Sequence, residues 1–386
     1  MTSNDSGTSK PRSAAAPFRD LLAERLSRRG ILKGGATAAA LGIGAGFVGS
    51  VFAREAFAGG TAMETGFQEL TRIYDQTHHV APGFRADVLV RWGDKVSAGA
   101  PDFDPAQQSL DSQSKQFGYN CDYIAFMPLP QGSGNSEHGL LWINHEYPNP
   151  HVMFPGFVQT DDKVGATMSK EQVEVAMASV GGSVIEIEKK DGQWRVVEGS
   201  TYARRVSALT PMTISGPAAG HALMKTSADP TGTAVIGTAA NCSGGRTPWG
   251  TILSCEEWAY SFFGGEAEKT AITEHLNRSG MYNEDYYGFA RFDDRFNVEK
   301  EPNELNRWQW VVEIDPYDPN WVPVKRTALG RAGQEGANTV LNKDGRVVVY
   351  KGDDDYFEYL YRFVSDGAVN PDDRAANRDL LDKGVL

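Results

Sequence analysis

Along most of the chain, short apolar and β-branched runs alternate with breaks rich in glycine, proline, aspartate and asparagine. That grammar predicts strands over 86–93, 117–129, 139–144, 182–188, 194–198, 233–238, 251–254, 338–341 and 346–350. Asp191-Gly192 and Asp344-Gly345 each lie between two runs, and Asp-Gly is a strong signal for a tight hairpin turn. A short helix is predicted over 66–74, where Phe67, Leu70 and Ile73 recur at helical spacing. Residues 264–306 follow neither period. They carry Glu266-Ala-Glu-Lys and Asp293-Asp294 and read as a solvated inter-strand excursion with a short helix over 269–277, a lid being the alternative.

The pattern also echoes at long range. Val184-Ile-Glu-Ile recurs as Val311-Val-Glu-Ile, and the same offset carries Asp191 onto Asp318, Trp194 onto Trp321, Val197 onto Val324 and Arg204 onto Arg331. Strand ends echo too. Leu140-Leu-Trp-Ile-Asn-His-Glu146 parallels Thr251-Ile-Leu-Ser-Cys-Glu-Glu257, and Ala234-Val-Ile-Gly-Thr-Ala-Ala-Asn-Cys242 parallels Arg346-Val-Val-Val-Tyr-Lys-Gly-Asp-Asp354. Many short strands with an internal echo predict an all-β fold of the β-propeller class, with a β-sandwich as the alternative. In a propeller the innermost strands of all blades aim their ends at one axial region, so residues distant in sequence converge there.

Composition adds a bias. Formal net charge is −12, from Asp+Glu 50 against Lys+Arg 38, which argues against nucleic-acid partners and fits a chain that neutralises acids with bound cations. At the N-terminus, Ser27-Arg-Arg-Gly-Ile-Leu-Lys33 resembles the twin-arginine export motif. A Gly/Ala-rich run over 34–52 and Ala56-Phe-Ala58, an A-x-A cleavage site, complete a leader. The run is glycine-rich and ends at Arg54 and Glu55, so no stable membrane anchor is expected. The expected organisation is a leader over 1–58, read by the twin-arginine translocase, and a β domain over 59–386. The product is a periplasmic or secreted protein, taken as a monomer.

Candidate chemistry centres on 241–258, read as strand, turn and strand with Gly244-Gly245 at the break. Cys242 then lies just past one strand end and Glu256-Glu257 just past the next. Neighbouring carboxylates repel unless a cation sits between them, and a thiolate is a donor for a transition metal. Glu146 ends another apolar run. Glu335 is flanked by glycines, and Asp353, Asp354 and Asp355 follow a strand in a pattern suited to calcium. Arg246, in the turn beside Cys242, is a candidate for holding a phosphate oxygen, a surface salt bridge being the plainer reading. His78-His79, His145 and His221 read as surface or structural histidines. A Cys121–Cys255 bridge is left open by three cysteines.

Together, the leader, Phe117-Gly-Tyr-Asn-Cys-Asp-Tyr, Trp142-Ile-Asn-His-Glu-Tyr, Asn241-Cys-Ser-Gly-Gly, Thr247-Pro-Trp-Gly-Thr, Cys255-Glu-Glu, Glu335-Gly-Ala and Lys351-Gly-Asp-Asp-Asp resemble the PhoX-type alkaline phosphatases. The resemblance covers the chain after Gly59. It implies a cluster of iron and calcium ions at a propeller axis that hydrolyses phosphomonoesters. On that resemblance Cys242 and Glu335 bind iron, and Glu146, Glu256, Glu257, Asp353 and Asp354 either serve the calcium side or support the ligands from behind. Cys242, Glu335 and Arg246 are the candidate catalytic set. Family members continue past the equivalent of Leu386, so this chain is expected to lack C-terminal blades, with a phosphate-contacting arginine and further carboxylates among them. The rival readings are another calcium-dependent propeller hydrolase, acting on phosphodiesters, phytate or lactones, and a non-catalytic exported metal-binding propeller.

Overall fold

The computed structural model describes residues 70–71, 73–280 and 285–386. The twin-arginine stretch, the 34–52 run, Ala56-Phe-Ala58 and most of the helix expected over 66–74 lie outside them, and Ile73 and Tyr74 are in open loop. The chain divides into two units, Met1–Ala86 and Asp87–Leu386. In the first, the described residues form loop, and His79 Nε2 lies 2.8 Å from Asp75 Oδ2, a local surface pair.

The second unit is mostly β, built from three open sheets rather than the two of a sandwich. The first sheet runs β1 (Cys121–Pro128), β2 (His138–His145), β3 (Gly181–Lys190) and β4 (Gln193–Val196), with β5 (Arg204–Val206) also paired to β3. The second contains β6 (Pro211–Ser215), β7 (Ala234–Ile236), β8 (Asn241–Arg246), β9 (Ile252–Glu256), β10 (Val311–Ile314) and β11 (Val324–Arg326). Its spatial order is β7-β6-β11-β10-β9-β8, with β11 and β6 parallel. The third runs β12 (Asn338–Leu341), β13 (Arg346–Gly352), β14 (Leu360–Ala368) and β15 (Gly384–Val385).

The hairpin signals hold. Asp191 and Gly192 both take positive φ, 52° and 75°, between β3 and β4, as a tight turn requires. The long-range echo has a structural counterpart at one point. Val197 N donates to Glu186 O at 2.8 Å beside the β3–β4 hairpin, and its echo, Val324, pairs with Glu313 across β10 and β11.

The three sheets meet along their edge strands β1, β8 and β12. Arg246 Nη1 at the end of β8 donates to Phe126 O of β1 at 3.0 Å, and Thr339 Oγ1 of β12 donates to Arg246 O. Gly245 makes this approach feasible: a Cβ there would lie 1.9 Å from the Ala337 carbonyl oxygen. Gly245→Ala is therefore expected to push β8 away from the strand 338–341 and cost about 1–3 kcal/mol, read as a lower denaturant midpoint at constant slope.

Three expectations are corrected here. Gly244-Gly245 lie inside β8, and the chain turns later, over 247–250. Residues 86–93 form no strand: 86–91 run as loop and Trp92-Gly93 form a turn. The 264–306 stretch is not a solvated excursion. It has a short helix, Thr273–Arg278, but Phe289, Phe296, Val298 and Leu305 are fully buried with Phe262, Phe263 and Trp308. Aromatic residues at irregular spacing build that core, so no period announces it. It also takes Val173, Ala176 and Met177 from the ten-residue helix Lys170–Ser179, which the strand-based reading missed despite its Ser169–Gln172 capping box. Among the described residues no helix is long and apolar enough to cross a membrane.

Candidate metal centre

One edge strand of each sheet, β1, β8 or β12, begins with the same irregularity. In the first, Cys121 pairs with His145 and Ile124 with Ile143. In the second, Asn241 pairs with Glu256 and Gly244 with Ser254. In the third, Gln334 bridges Asp353 before Asn338 pairs with Tyr350. The inner strand carries one residue more than its neighbour each time, which is a β-bulge, a device that re-aims a side chain. The residue after the first paired position is Asp122, Cys242 or Glu335. The residue beyond its partner is Glu146, Glu257 or Asp354. Three sheets thus deliver three pairs of donor groups to one place.

A belt of backbone hydrogen bonds holds the six in register. Glu146 N donates to Asn120 O at 3.1 Å, Ala240 N to Glu146 O at 3.1 Å, and Glu257 N to Ala240 O at 2.9 Å. Gln334 N donates to Glu256 O at 3.1 Å and Asp354 N to Gly333 O at 3.0 Å. Ala240 joins two sheets from a left-handed φ of 54°, which L-residues adopt only where the surroundings compel it. Buried Asn144 clamps the bulge at Cys242: its Nδ2 donates to Cys242 O at 2.6 Å and Ser243 O at 3.0 Å, while its Oδ1 accepts from Trp142 Nε1 and Ser254 Oγ.

The donor groups are tightly grouped. Among the described residues, Asp122, Glu146 and Cys242 bring their potential ligand atoms within 4.8 Å of one another. The Cys242 thiol donates to Asp122 Oδ2 at 3.3 Å. Burial lifts the Glu257 carboxyl to about 8, helped by a hydrogen bond with Asp354 and the charge of Glu146. Burial, then the charges of Asp122 and Glu335, lifts Glu146 to about 7. Glu335 is raised by burial and by Asp354 and Asp122. Burial and the surrounding acids also push the Cys242 thiol far up. Carboxyls crowded until they resist ionising are short of a counter-charge. One thiol amid five carboxylates suits a mixed centre, with sulfur for a transition metal and oxygen for hard cations. A cleft of about 200 Å³ opens beside Asp354, walled by Trp258, Tyr260, His275, Arg278 and Tyr361.

The family of alkaline phosphatase PhoX matches residues 65–386. The chain belongs to the PhoX family. It is similar to a solved structure, Pseudomonas fluorescens PhoX in complex with vanadate, a transition state analogue. The identity is 43% and the TM-score 0.73, over 79% of this chain and 51% of the other. The chain therefore spans about half the length of that PhoX. No curated protein matches the chain.

Of the residues singled out from sequence, this PhoX-family chain brings together Cys242, Glu146, Glu257, Glu335 and Asp354. Three others are engaged in bonds of their own. Glu256 is fully buried, with Oε1 at 2.7 Å from Lys325 Nζ and Oε2 accepting from Trp310 N at 3.1 Å. Asp353 Oδ1 accepts from Gly333 N at 2.9 Å. Arg246 ends β8, four residues beyond Cys242 and about 13 Å away along an extended strand, and is spent on Phe126 O. Arg246→Ala is accordingly expected to leave bound-metal content within about twofold of wild type, measured by elemental analysis.

The residue missed was Asp122. Its signal is Asn120-Cys-Asp, at the start of the strand whose neighbour ends one residue before Glu146. Other expectations are met plainly. His145 is buried, with Nε2 at 2.7 Å from Ser183 Oγ, and His221 Nδ1 accepts from Leu223 N at 3.2 Å. All three cysteines are free, Cys121 exposed and Cys242 and Cys255 buried, so the bridge between Cys121 and Cys255 is absent.

Proposed function

We propose that this chain carries a polynuclear centre of iron and calcium and hydrolyses small phosphomonoesters. The observation that carries the reading is the convergence of Asp122, Glu146, Cys242, Glu257, Glu335 and Asp354 from three sheets. The vanadate bound by the structural neighbour, a transition state analogue, supports phosphoryl chemistry.

The chain's residues would divide the work by softness. Cys242, with Asp122 and Glu146 beside it and Glu335 facing Asp122, is the iron side, and Glu257, which also faces Cys242, serves calcium with Asp354. When bound, these ions supply positive charge that polarises a phosphoryl oxygen and offsets the dianionic ester. The protein's task is to hold donors rigidly, and the bulges, the backbone belt and Asn144 do so. A site of concentrated cationic charge also reconciles a chain of net charge −12 with an anionic substrate, because the nearest charges dominate the local field. The cleft beside Asp354 gives the organic part of the ester a place to lie.

The architecture is read in the same way. Three sheets whose edge strands adjoin and whose strand ends share one centre are blades of a β-propeller. The leader motif at Arg28-Arg29 and the A-x-A site at Ala56-Phe-Ala58 support export through the twin-arginine translocase to the periplasm or beyond.

The test is elemental analysis of purified protein together with turnover of p-nitrophenyl phosphate. Iron and calcium are expected to co-purify, and turnover to fall to background on chelation and return when both metals are restored. Full activity in chelator would overturn the reading. Metal without turnover would leave a non-catalytic metal-binding protein.

A further inference from the structure

We infer that Glu256 and Lys325 form a strut that positions the backbone of Glu257, and that Glu256 itself lies outside the set of metal donors. The metal part of this inference rests on the reading proposed above.

Both side chains are fully buried, with Lys325 Nζ at 2.7 Å from Glu256 Oε1. Lys325 Nζ also donates to Arg307 O at 3.0 Å and lies 4.1 Å from the centre of the Trp308 ring. Glu256 Oε2 accepts from Trp310 N at 3.1 Å. Both carboxylate oxygens are thus committed to the interior of the second sheet. The strut is long-reaching. Lys325 of β11 pairs with Val312 of β10, which pairs with Ser254 of β9, so the ion pair spans two strand spacings, about 9–10 Å. Successive residues of an extended chain face opposite sides, which sends Glu257 the other way.

The other sheets repeat the arrangement with different chemistry. His145 precedes Glu146 and is tied through Nε2 to Ser183 Oγ at 2.7 Å. Asp353 precedes Asp354 and is tied through Oδ1 to Gly333 N at 2.9 Å. In all three, the penultimate residue is anchored by its side chain and the last one joins the donor cluster. A buried ion pair is seldom required for stability, since apolar residues of similar volume can replace it at little cost. What apolar residues cannot replace is a directional hold on the strand end.

The experiment compares Glu256→Gln, Lys325→Met and the double variant E256L/K325M. Thermal midpoint, amide hydrogen exchange of metal-free protein at Glu257 and Gln334, and calcium affinity by titration calorimetry are measured. The double variant is expected to melt within about 3 °C of wild type, while both amides exchange about tenfold faster and calcium affinity falls about tenfold. Recovery of wild-type exchange and affinity in the double variant would overturn the strut, leaving the pair a packing feature. Should the double variant fail to fold, Glu256→Gln carries the test, because it keeps an acceptor for Trp310 N and loses only the charge. Loss of one calcium ion per chain in Glu256→Gln but not in Lys325→Met would make Glu256 a donor and overturn the inference. If wild-type protein takes up no calcium, the metal reading fails, and the exchange rates alone decide the strut.

Discussion

Cys242→Ser is expected to strip the centre of its iron and, with it, at least about 100-fold of phosphatase turnover. Losing a residue one step removed from a metal already costs 10–100-fold, and Cys242 is the one thiol among the six convergent groups. Serine is nearly isosteric, so the Asn144 bonds to the Cys242 and Ser243 carbonyls persist and the fold survives. What changes is donor chemistry: a hydroxyl is a poor ligand for a transition metal beside hard carboxylates. Cys121→Ser is the control, since Cys121 is exposed and its neighbour Asp122, not the thiol, joins the cluster. Equal iron content in wild type and Cys242→Ser, measured by plasma emission spectrometry, would remove sulfur from the account.

The second large effect appears when the metals are taken away. Chelator-treated protein is expected to lose stability as pH rises from about 5 to about 8.5, by roughly 3 kcal/mol, or about 6–12 °C in melting temperature. Without cations the folded chain holds Glu146 at about 7 and Glu257 at about 8, both raised mainly by burial. The unfolded carboxyls titrate near 4.3. Across that window the folded state binds more protons than the unfolded state, so stability falls with rising pH and levels off once both carboxyls are ionised. The full shifts would give more, and the figure is reduced because these groups are partly hydrated and repel one another. Calcium should flatten the profile by supplying the missing counter-charge. Differential scanning calorimetry across pH, with chelator and with calcium, reads both trends. A chelated profile that rises over this range would mean that the acids do not face one another.

Much of this centre is legible in the sequence because strands end abruptly. An apolar run that stops at Glu146, Glu257 or Asp354 marks where a sheet hands over to a loop, and Cys242 and Glu335 sit within two residues of glycines that permit close approach. The phase of alternation is not legible. Glu256 and Glu257 are identical side by side, and only pairing with β10 and reach to Lys325 decide which one turns inward. The same ambiguity covers Asp353 and Asp354. Asp122 goes unnoticed because it precedes an apolar run, whereas the reading looks for acids that follow one. Arg246 looks close to Cys242 because the three intervening residues are taken as a turn, when they are an extended strand. The aromatic core of 264–306 is invisible to any periodic rule, since 3-10 turns and loops, not regular helices, carry its rings.

The central claim is that one shared centre draws donors from three sheets, and anomalous diffraction at the iron absorption edge tests it most directly. Crystals of protein loaded with iron and calcium should show an iron peak within bonding distance of Cys242 Sγ and of carboxylate oxygens from at least two of Asp122, Glu146 and Glu335. Iron bound away from Cys242, or held by donors from a single sheet, would contradict the account.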